Sequence, residues 1–435
     1  MSRNRIIHNV QDVFVGSPEG ETDKLITGVT GHQVLKRLNR VQSFNYGIDL
    51  PKEDKFTLGQ SKPFSRKTNS PASVTFSLSY YLDGVNNEDR IGLNVDNENR
   101  KSSDKTKSLF YDMVESNDTN DKRNFYLVVN NETDDIHGQH VDLPHEKLAE
   151  GTFTKNDVID PNSSGYSVVV FQNSYLTNYN ISVEAGQLPN VDLSYVADNM
   201  VGYVSGSGIN IPYLDLKKGE VTDGAEAKEF IIPKHFDRST NNKNLIDDDF
   251  LLRDGYVNVK INKVGVSGVS GIYDDSIRSC SISCSLDRDA ISYVGQKMIS
   301  DRPIQFPVSA ELGLDKIVKE NISGSFIDDI NENENYNIVI DLKYQSKDMV
   351  DDGYVNIFTF SGAKFDGINY NNSIGSNKTA SLKFSTITDF ENDTAGVFLS
   401  GKVSSALVDL ELDGGDDLVD NDGNTVVALP VYLQY

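Results

Sequence analysis

SFNYGIDLPKEDKFTLGQSKPFSRKTNSPASVTFSL, residues 43–78, and SCSISCSLDRDAISYVGQKMISDRPIQFPVSAELGL, residues 279–314, decide the architecture when one is laid over the other. They align without a gap at a constant offset of 236 positions. Eight pairs are identical: Ser43 and Ser279, Leu50 and Leu286, Gly59 and Gly295, Gln60 and Gln296, Arg66 and Arg302, Pro71 and Pro307, Ser73 and Ser309, Leu78 and Leu314. Ordinary residue usage yields roughly two over such a window. A repeat of this kind outranks any local motif, because it says that one structural unit is built twice.

The similarity resumes downstream. Phe110 aligns with Phe326, Gly165-Tyr166 with Gly353-Tyr354, and Gly186, Leu193 and Tyr195 with Gly375, Leu382 and Phe384. The shrinking offsets place two insertions in the first copy, about 20 residues near 83–106 and about 28 near 130–164. Both read as loop extensions, the first because DGVNNED and ENRKSSDK are too polar for a core and loops tolerate insertion and carry interactions. Between the copies, KKGEVTDGAEAKE and RSTNNKN are charged and lack apolar periodicity until FIIPKHF, residues 230–236. The chain therefore divides into a first domain at 1–215, a linker at 216–244 partly ordered by 230–236, and a second domain at 245–435. A length of 435 residues suits two cores.

Within the copies, apolar and polar residues alternate over 124–129, 166–171, 256–261, 336–342, 356–360 and 426–432. That period of two belongs to half-buried strands. Clusters rich in Asn, Asp and Gly separate them, and these residues accept turn geometry. Helical spacing is confined to 108–115, 144–150 and 323–330. The expected fold is mainly β: two tandem duplicated β-sandwich or β-barrel domains, each with a short helix.

Composition excludes several functions. With 41 Lys and Arg against 65 Asp and Glu, the net charge is -24. Such a surface repels phosphate backbones, whose binding needs clustered cations. Cys280 and Cys284, the only cysteines, fall on one strand face roughly 13 Å apart by the rise per residue, too far to be bridged to each other. The first residues lack the apolar core of a signal peptide and no run reaches the ~18 apolar residues of a membrane span, so a soluble protein of a reducing compartment is expected.

Catalytic chemistry finds no support in the residues. His137, His140 and His145 lie near Asp134, Asp135, Asp142 and Glu146 and could together ligate a transition metal, but their spacing fits no zinc signature, and a solvated loop is the simpler reading. LDGGDDLVDNDGNT, residues 412–425, mimics part of a calcium loop. Leu418 and Leu429, however, stand where ligands are needed, so a turn around Asn421-Asp422-Gly423 is preferred. No G-x-S-x-G, Walker A or H-E-x-x-H motif occurs. With no Trp in the chain, a sugar-stacking cleft lacks its strongest platform. No catalytic residue, cofactor or metal ligand is assigned. The residues singled out are the shared motif of the two copies: Leu50, Gly59, Gln60, Pro71 and Leu78, with Leu286, Gly295, Gln296, Pro307 and Leu314.

RVQSFNYGIDLPKEDKFTLGQ with SVTFSLSYYL, and their echo at 276–314, resemble the opening of the tail-tube proteins of tailed bacteriophages. A strand ends in a charged turn, an L-G or V-G step follows (Leu58-Gly59, Val294-Gly295), then a crossing strand and a small helix. NNSIGSNKTASLKFST, residues 371–386, resembles the family's terminal strand pair. The resemblance implies a structural, non-enzymatic virion protein whose β-domains join into rings stacked around a channel. Its implied partners are itself, in trimeric rings, other tail proteins, and genomic DNA passing without specific binding. No membrane partner is implied, and the implied location is the virion tail, assembled in the host cytoplasm. The unequal copies leave room for a tail terminator or baseplate hub. From another class, a β-sandwich adhesin with Asn/Asp-rich binding loops is the alternative.

Overall fold

The structure, a computed structural model, describes residues 11–16, 33–34, 36–49, 52–68, 73–82, 84–97, 107–115, 121–130, 158–159, 166–185, 187–204, 214–215, 220–221, 230–233, 257–263, 272–273, 277–294, 299–318, 335–343, 354–372, 377–390 and 394–401. The described residues are mainly β. In the first half the principal strands are β1 (Gln11–Gly16), β2 (Val41–Asp49), β3 (Ser73–Tyr81), β4 (Lys122–Asn130), β5 (Tyr166–Glu184) and β6 (Asn190–Val204). The second half has β7 (Val257–Lys263), β8 (Ile277–Ser285), β9 (Ser309–Ile317), β10 (Tyr336–Lys343), β11 (Tyr354–Asn371), β12 (Thr379–Ile387) and β13 (Gly396–Gly401). Alternation explains them: Val74, Phe76, Leu78 and Tyr80 of β3 are buried while Thr75 and Ser77 face out, since successive side chains leave a strand on opposite sides.

Neighbour order is the same in both halves. The first runs β1-β4-β5-β6-β3-β2 and the second β7-β10-β11-β12-β9-β8, antiparallel throughout. Register repeats too. Strands β2 and β3 pair Phe44 with Leu78 and shift between Val41 and Ser43; β8 and β9 pair Cys280 with Leu314 and shift between Ile277 and Ser279. Strand β5 shifts against β6 between Leu176 and Asn178, as β11 does against β12 between Phe365 and Gly367. A third irregularity opposes Phe171 to Phe125 and Ser174 to Arg123, and likewise Phe360 to Ile338 and Ala363 to Tyr336. At it, Asn173 has φ 45° and Gly362 φ 65°, left-handed values that Asn and Gly adopt at low cost. One difference breaks the symmetry. Strand β6 runs on unbroken along β5, whereas β12 stops at Ile387 and β13 resumes the pairing with β11 after a short detour.

Bulges bend the long strands, and each half wraps around an aromatic core. Phe76 of β3 lies 5.1 Å from Phe125 of β4, 4.9 Å from Phe171 and 5.0 Å from Tyr195. In the second half Phe384 lies 6.1 Å from Tyr336 and 5.5 Å from Phe365. Side chains from the two arms of a bent sheet thus meet face to face, as in a sandwich whose strands switch layers at bulges.

Two short helices are described, α1 (Asn86–Arg90) and α2 (Tyr111–Glu115). The latter falls in the expected 108–115; the expected helices at 144–150 and 323–330 lie outside the described residues. Helix α1 overturns the reading of DGVNNED as too polar for a core; residues 98–106 lie outside the described residues. Val85, Ile91 and Leu93 are buried, and so is Glu88, whose carboxylate accepts hydrogen bonds from the hydroxyls of Tyr80 (2.8 Å) and Tyr179 (3.3 Å). Polar residues can occupy a core when their hydrogen bonds are supplied there. This stretch also reaches the second half of the same chain. Asn356 donates to the Gly84 carbonyl (3.1 Å), the Leu109 amide donates to the Val397 carbonyl (2.8 Å), and Asp96–Asn97 pairs with β13 in parallel.

Within residues 216–244, Phe230–Pro233 forms a strand beside Gln33–Val34 and Val158–Ile159, and 234–236 lie outside the described residues. The histidine trio, the 412–425 run and the expected strand at 426–432 lie outside the described residues.

Candidate assembly surface

The two halves are stitched edge to edge. Residues 178–184 of β5 pair antiparallel with 279–285 of β8, Asn178 opposite Ser285 and Glu184 opposite Ser279, so the sheet runs continuously from one half into the other. Amide donors bracket the seam: Leu286 to the Thr177 carbonyl (2.9 Å) and Ala185 to the Arg278 carbonyl (2.8 Å). On its inner face Tyr179, Ile181 and Val183 meet Cys280, Ile282 and Cys284, all buried. Both cysteines are free thiols, as their one-face spacing required, and burial pushes them up to about 12.

Charge locks one end of the seam. Arg288 follows β8 and reaches into the first half, donating to both carboxylate oxygens of Asp121 (2.8 and 2.6 Å) and to the Leu176 carbonyl (2.7 Å). A fourth bond goes to the Arg302 carbonyl (2.8 Å). The planar guanidinium fork suits this two-pronged geometry, and its side chain is only 1% exposed. Arg302 adds a second cross-half ion pair, Nε to Asp198 Oδ1 at 3.1 Å. Burial pushes the Asp198 carboxyl up to about 6, against the opposing pull of Arg302 and of Asn173.

The motif residues occupy equivalent places where both copies are described. Leu78 and Leu314 are core residues of β3 and β9, and Leu286 is buried beside the seam. Gly59 takes φ 90° at the tip of a hairpin formed by Lys52–Lys55 and Ser65–Thr68, and the Gln60 amide closes that tip on the Thr57 carbonyl (3.1 Å). In the second copy the same hairpin persists as bridges of Arg288 to Ile304 and Ile291 to Asp301, and Pro307 leads back into β9. Leu50, Pro71, Gly295 and Gln296 lie outside the described residues.

Identical residues can differ in surroundings. Arg66 is an exposed partner of Asp54 at 3.3 Å, whereas its counterpart Arg302 is buried, because only Arg302 has a first half to lean on. The sequence reading missed Arg288 and Asp121 entirely. They sit 167 positions apart, and Asp121 is one acid in a turn-rich run.

Three further features belong to this surface. The Leu58 and Val294 side chains stand fully exposed (relative exposures 104% and 108%) at equivalent hairpin tips. Because β2 and β8 run in the same sense within the sheet, both hairpins project from one margin. The sheet face opposite the core carries Ser77, Asp192, Ser281, Ser283, Glu311 and Asp315, together with the exposed Lys364 and Lys383. Among the described residues no group of three or more His, Cys, Asp or Glu could hold a metal, and no helix is long and apolar enough to cross a membrane.

No protein-family model and no curated protein matches the chain. Several solved structures do. One is a chain of the six-fold symmetrised anti-feeding prophage baseplate: 15% identity, TM-score 0.26, covering 33% of this chain and 92% of that one. The SPP1 tail tube matches at 12% identity and TM-score 0.25, covering 39% of this chain and 91% of its own. A chain of the sheath–tube complex of an extracellular contractile injection system matches at 14% and 0.25, covering 35% and 94%. TM-scores at this level carry no function to this chain.

Proposed function

We propose that this protein is a virion structural protein, a tail-tube subunit that carries two fused tube-type domains, 1–215 and 245–435, joined by 216–244. It acts mechanically and not as an enzyme. Three chains close a ring of pseudo-sixfold shape, rings stack into a tube, and genomic DNA leaves through the bore. Other tail proteins cap the ends.

The observation that carries this reading is the seam between β5 and β8. It is a head-to-tail contact: the last strand segment of one unit's long hairpin meets the edge strand of the next unit. Such a contact does not satisfy itself, so each chain still offers one surface of each kind, and repetition must either close into a ring or continue. In this reading the polar face lines the bore. Asp192, Glu311 and Asp315 outnumber Lys364 and Lys383 on that face, and acidic side chains repel a phosphate backbone and let it slide.

Cryo-electron microscopy of the assembled protein without imposed symmetry tests the reading. Closed rings of three chains, with two alternating unit shapes, are expected. Rings of six chains, or monomers persisting at high concentration, overturn it.

A further inference from the structure

Two strand edges of this chain are left open where their counterparts are paired. Strand β8 is covered by β5, but its equivalent β2 has β3 on one side and, among the described residues, no strand on the other. Likewise residues 178–184 of β5 lie between β6 and β8, while among the described residues their equivalents at 367–371 of β11 pair only with β12. Both open edges are apolar in the phase that the seam buries. Ile282 and Cys284 are 2% and 0% exposed, and the equivalent Tyr46 and Ile48 are each 48% exposed. On the other strand Ile181 is 2% exposed and the equivalent Tyr370 is 49% exposed. Large apolar side chains at an open strand edge invite pairing with another chain, and proteins ordinarily guard against it. Here they match, position for position, side chains that are already buried in an identical setting.

We infer that β2 of one copy adds to the free edge of β11 of the next copy, antiparallel, with Asn45 opposite Asn371 and Asp49 opposite Gly367. The register follows from the seam. The bulges that recur in both halves fix 41–49 onto 277–285 and 176–178 onto 365–367. Transferring the pairs of β5 with β8 through those equivalences sets Tyr46 across from Tyr370 and Ile48 across from Ile368. The occupant of each open edge is thus a second copy of this chain, presenting the other edge. This rests on the ring reading and adds to it the strands and the register that join one chain to the next.

Paired cysteines test it. The bonds bracketing the seam make Thr177–Leu286 and Ala185–Arg278 hydrogen-bonded pairs, and such pairs alternate with closer, non-hydrogen-bonded ones. Ser182–Ser281 is therefore a close pair, and so is its transferred equivalent, Asn371 and Asn45. Both asparagines are exposed and polar, so substitution there spares the core. The double variant Asn45→Cys/Asn371→Cys, assembled and mildly oxidised, should give interchain disulfides ending at a closed three-chain species on a non-reducing gel. An equimolar mixture of the two single variants should give dimers only. Asn45→Cys/Asn369→Cys, slipped by two residues, should lose the crosslink because its Cα atoms are too far apart. Rings seen by electron microscopy without the in-register crosslink, or with equal crosslinking of the slipped pair, overturn the register while leaving the ring reading intact. A disulfide confined within single chains overturns the pairing between copies. Neither rings nor crosslinks remove both.

Discussion

Replacing Arg288 by Ala should loosen the seam more than any other single change at the surface between the halves. Its guanidinium is 1% exposed and bonds both oxygens of Asp121 and two backbone carbonyls. Removing one member of a buried ion pair leaves the other uncompensated, at a cost of about 3–5 kcal/mol. Asp121 is 14% exposed, so water recovers part of its solvation and about 4 kcal/mol is the expected loss. With a urea m-value of about 3 kcal/mol/M, that lowers the unfolding midpoint of the unassembled chain by more than about 1 M. Arg288→Lys should recover less than half of it, since a point charge cannot reproduce the fork. Asp121→Asn combined with Arg288→Met should cost clearly less than the two single changes added together, as expected for residues that depend on each other. Lys52, the first-half counterpart of Arg288, is exposed and provides the control: Lys52→Ala should stay within about 0.5 kcal/mol. A midpoint shift for Arg288→Ala no larger than that of Lys52→Ala, or strict additivity with Asp121→Asn, would refute the clamp.

Asp198 gives a pH signature. Its folded-state pKa of about 6 is above that of an ordinary aspartate carboxyl, so its charge opposes folding at neutral pH, and that opposition fades as pH falls through about 6. Calorimetry should find wild type gaining stability on Asp198→Asn between pH 7 and pH 4; a constant difference between the two contradicts the assignment. Gly362→Val should cost about 2 kcal/mol or more, because φ is 65° and a new Cβ would meet the Ala395 Cβ at 2.9 Å, whereas Asn173→Gly at the equivalent bulge should cost less, since it loses only the long 3.4 Å hydrogen bond of the Asn173 side-chain amide to Asp198. Chemical denaturation separates the two. Leu58→Asp with Val294→Asp places charge on both hairpin tips and should leave closed rings that no longer stack, visible by electron microscopy; normal tubes would show that the tips make no contact between rings.

What could be read from the sequence divides along physical lines. Period-two alternation located β4, β7 and β10 closely, because burial on one face leaves a direct imprint on residue type. The ungapped match of 43–78 with 279–314 pointed to strands that the structure places 236 positions apart with the same register shift, as β2 and β8, β3 and β9. Length was less legible. Strand β5 extends to Glu184, far beyond the alternation at 166–171, because bulges near Asn173 and Thr177 flip the phase of alternation and hide one long strand from a simple pattern. The insertion after β3 was misread because polarity was taken for exposure. Glu88 is buried through two tyrosine hydroxyls, one of them on a strand 91 positions away. Arg288 and Asp121 left no local trace, since an ion pair between halves has no spacing rule.

The unequal chemistry of the buried seam and the open edges argues that the same contact is made in two settings. In the proposed ring of two-unit chains, every second contact would be internal to a chain, at high effective concentration and covered once the chain has folded. Such a contact can be built like a core, and the seam is: Cys280, Ile282 and Cys284 lie under Tyr179 and Ile181, with Arg288 desolvated at one end. The contact between chains must instead survive as a free edge before assembly. Tyr46 and Tyr370 suit that requirement, because each carries a hydroxyl that water can reach, and Asn45, Gly47, Asp49, Asn369 and Asn371 alternate with them along the two edges. Gly and Asn weaken a strand's intrinsic preference for extended pairing, and a charge at Asp49 resists indiscriminate addition. On the proposed reading, two surfaces of one pattern thus differ in the directions that permanent burial and deferred burial each require. Substituting the seam residues at the edge, Tyr46→Ile with Ile48→Cys, should therefore produce a chain that assembles or aggregates earlier and not one that assembles better.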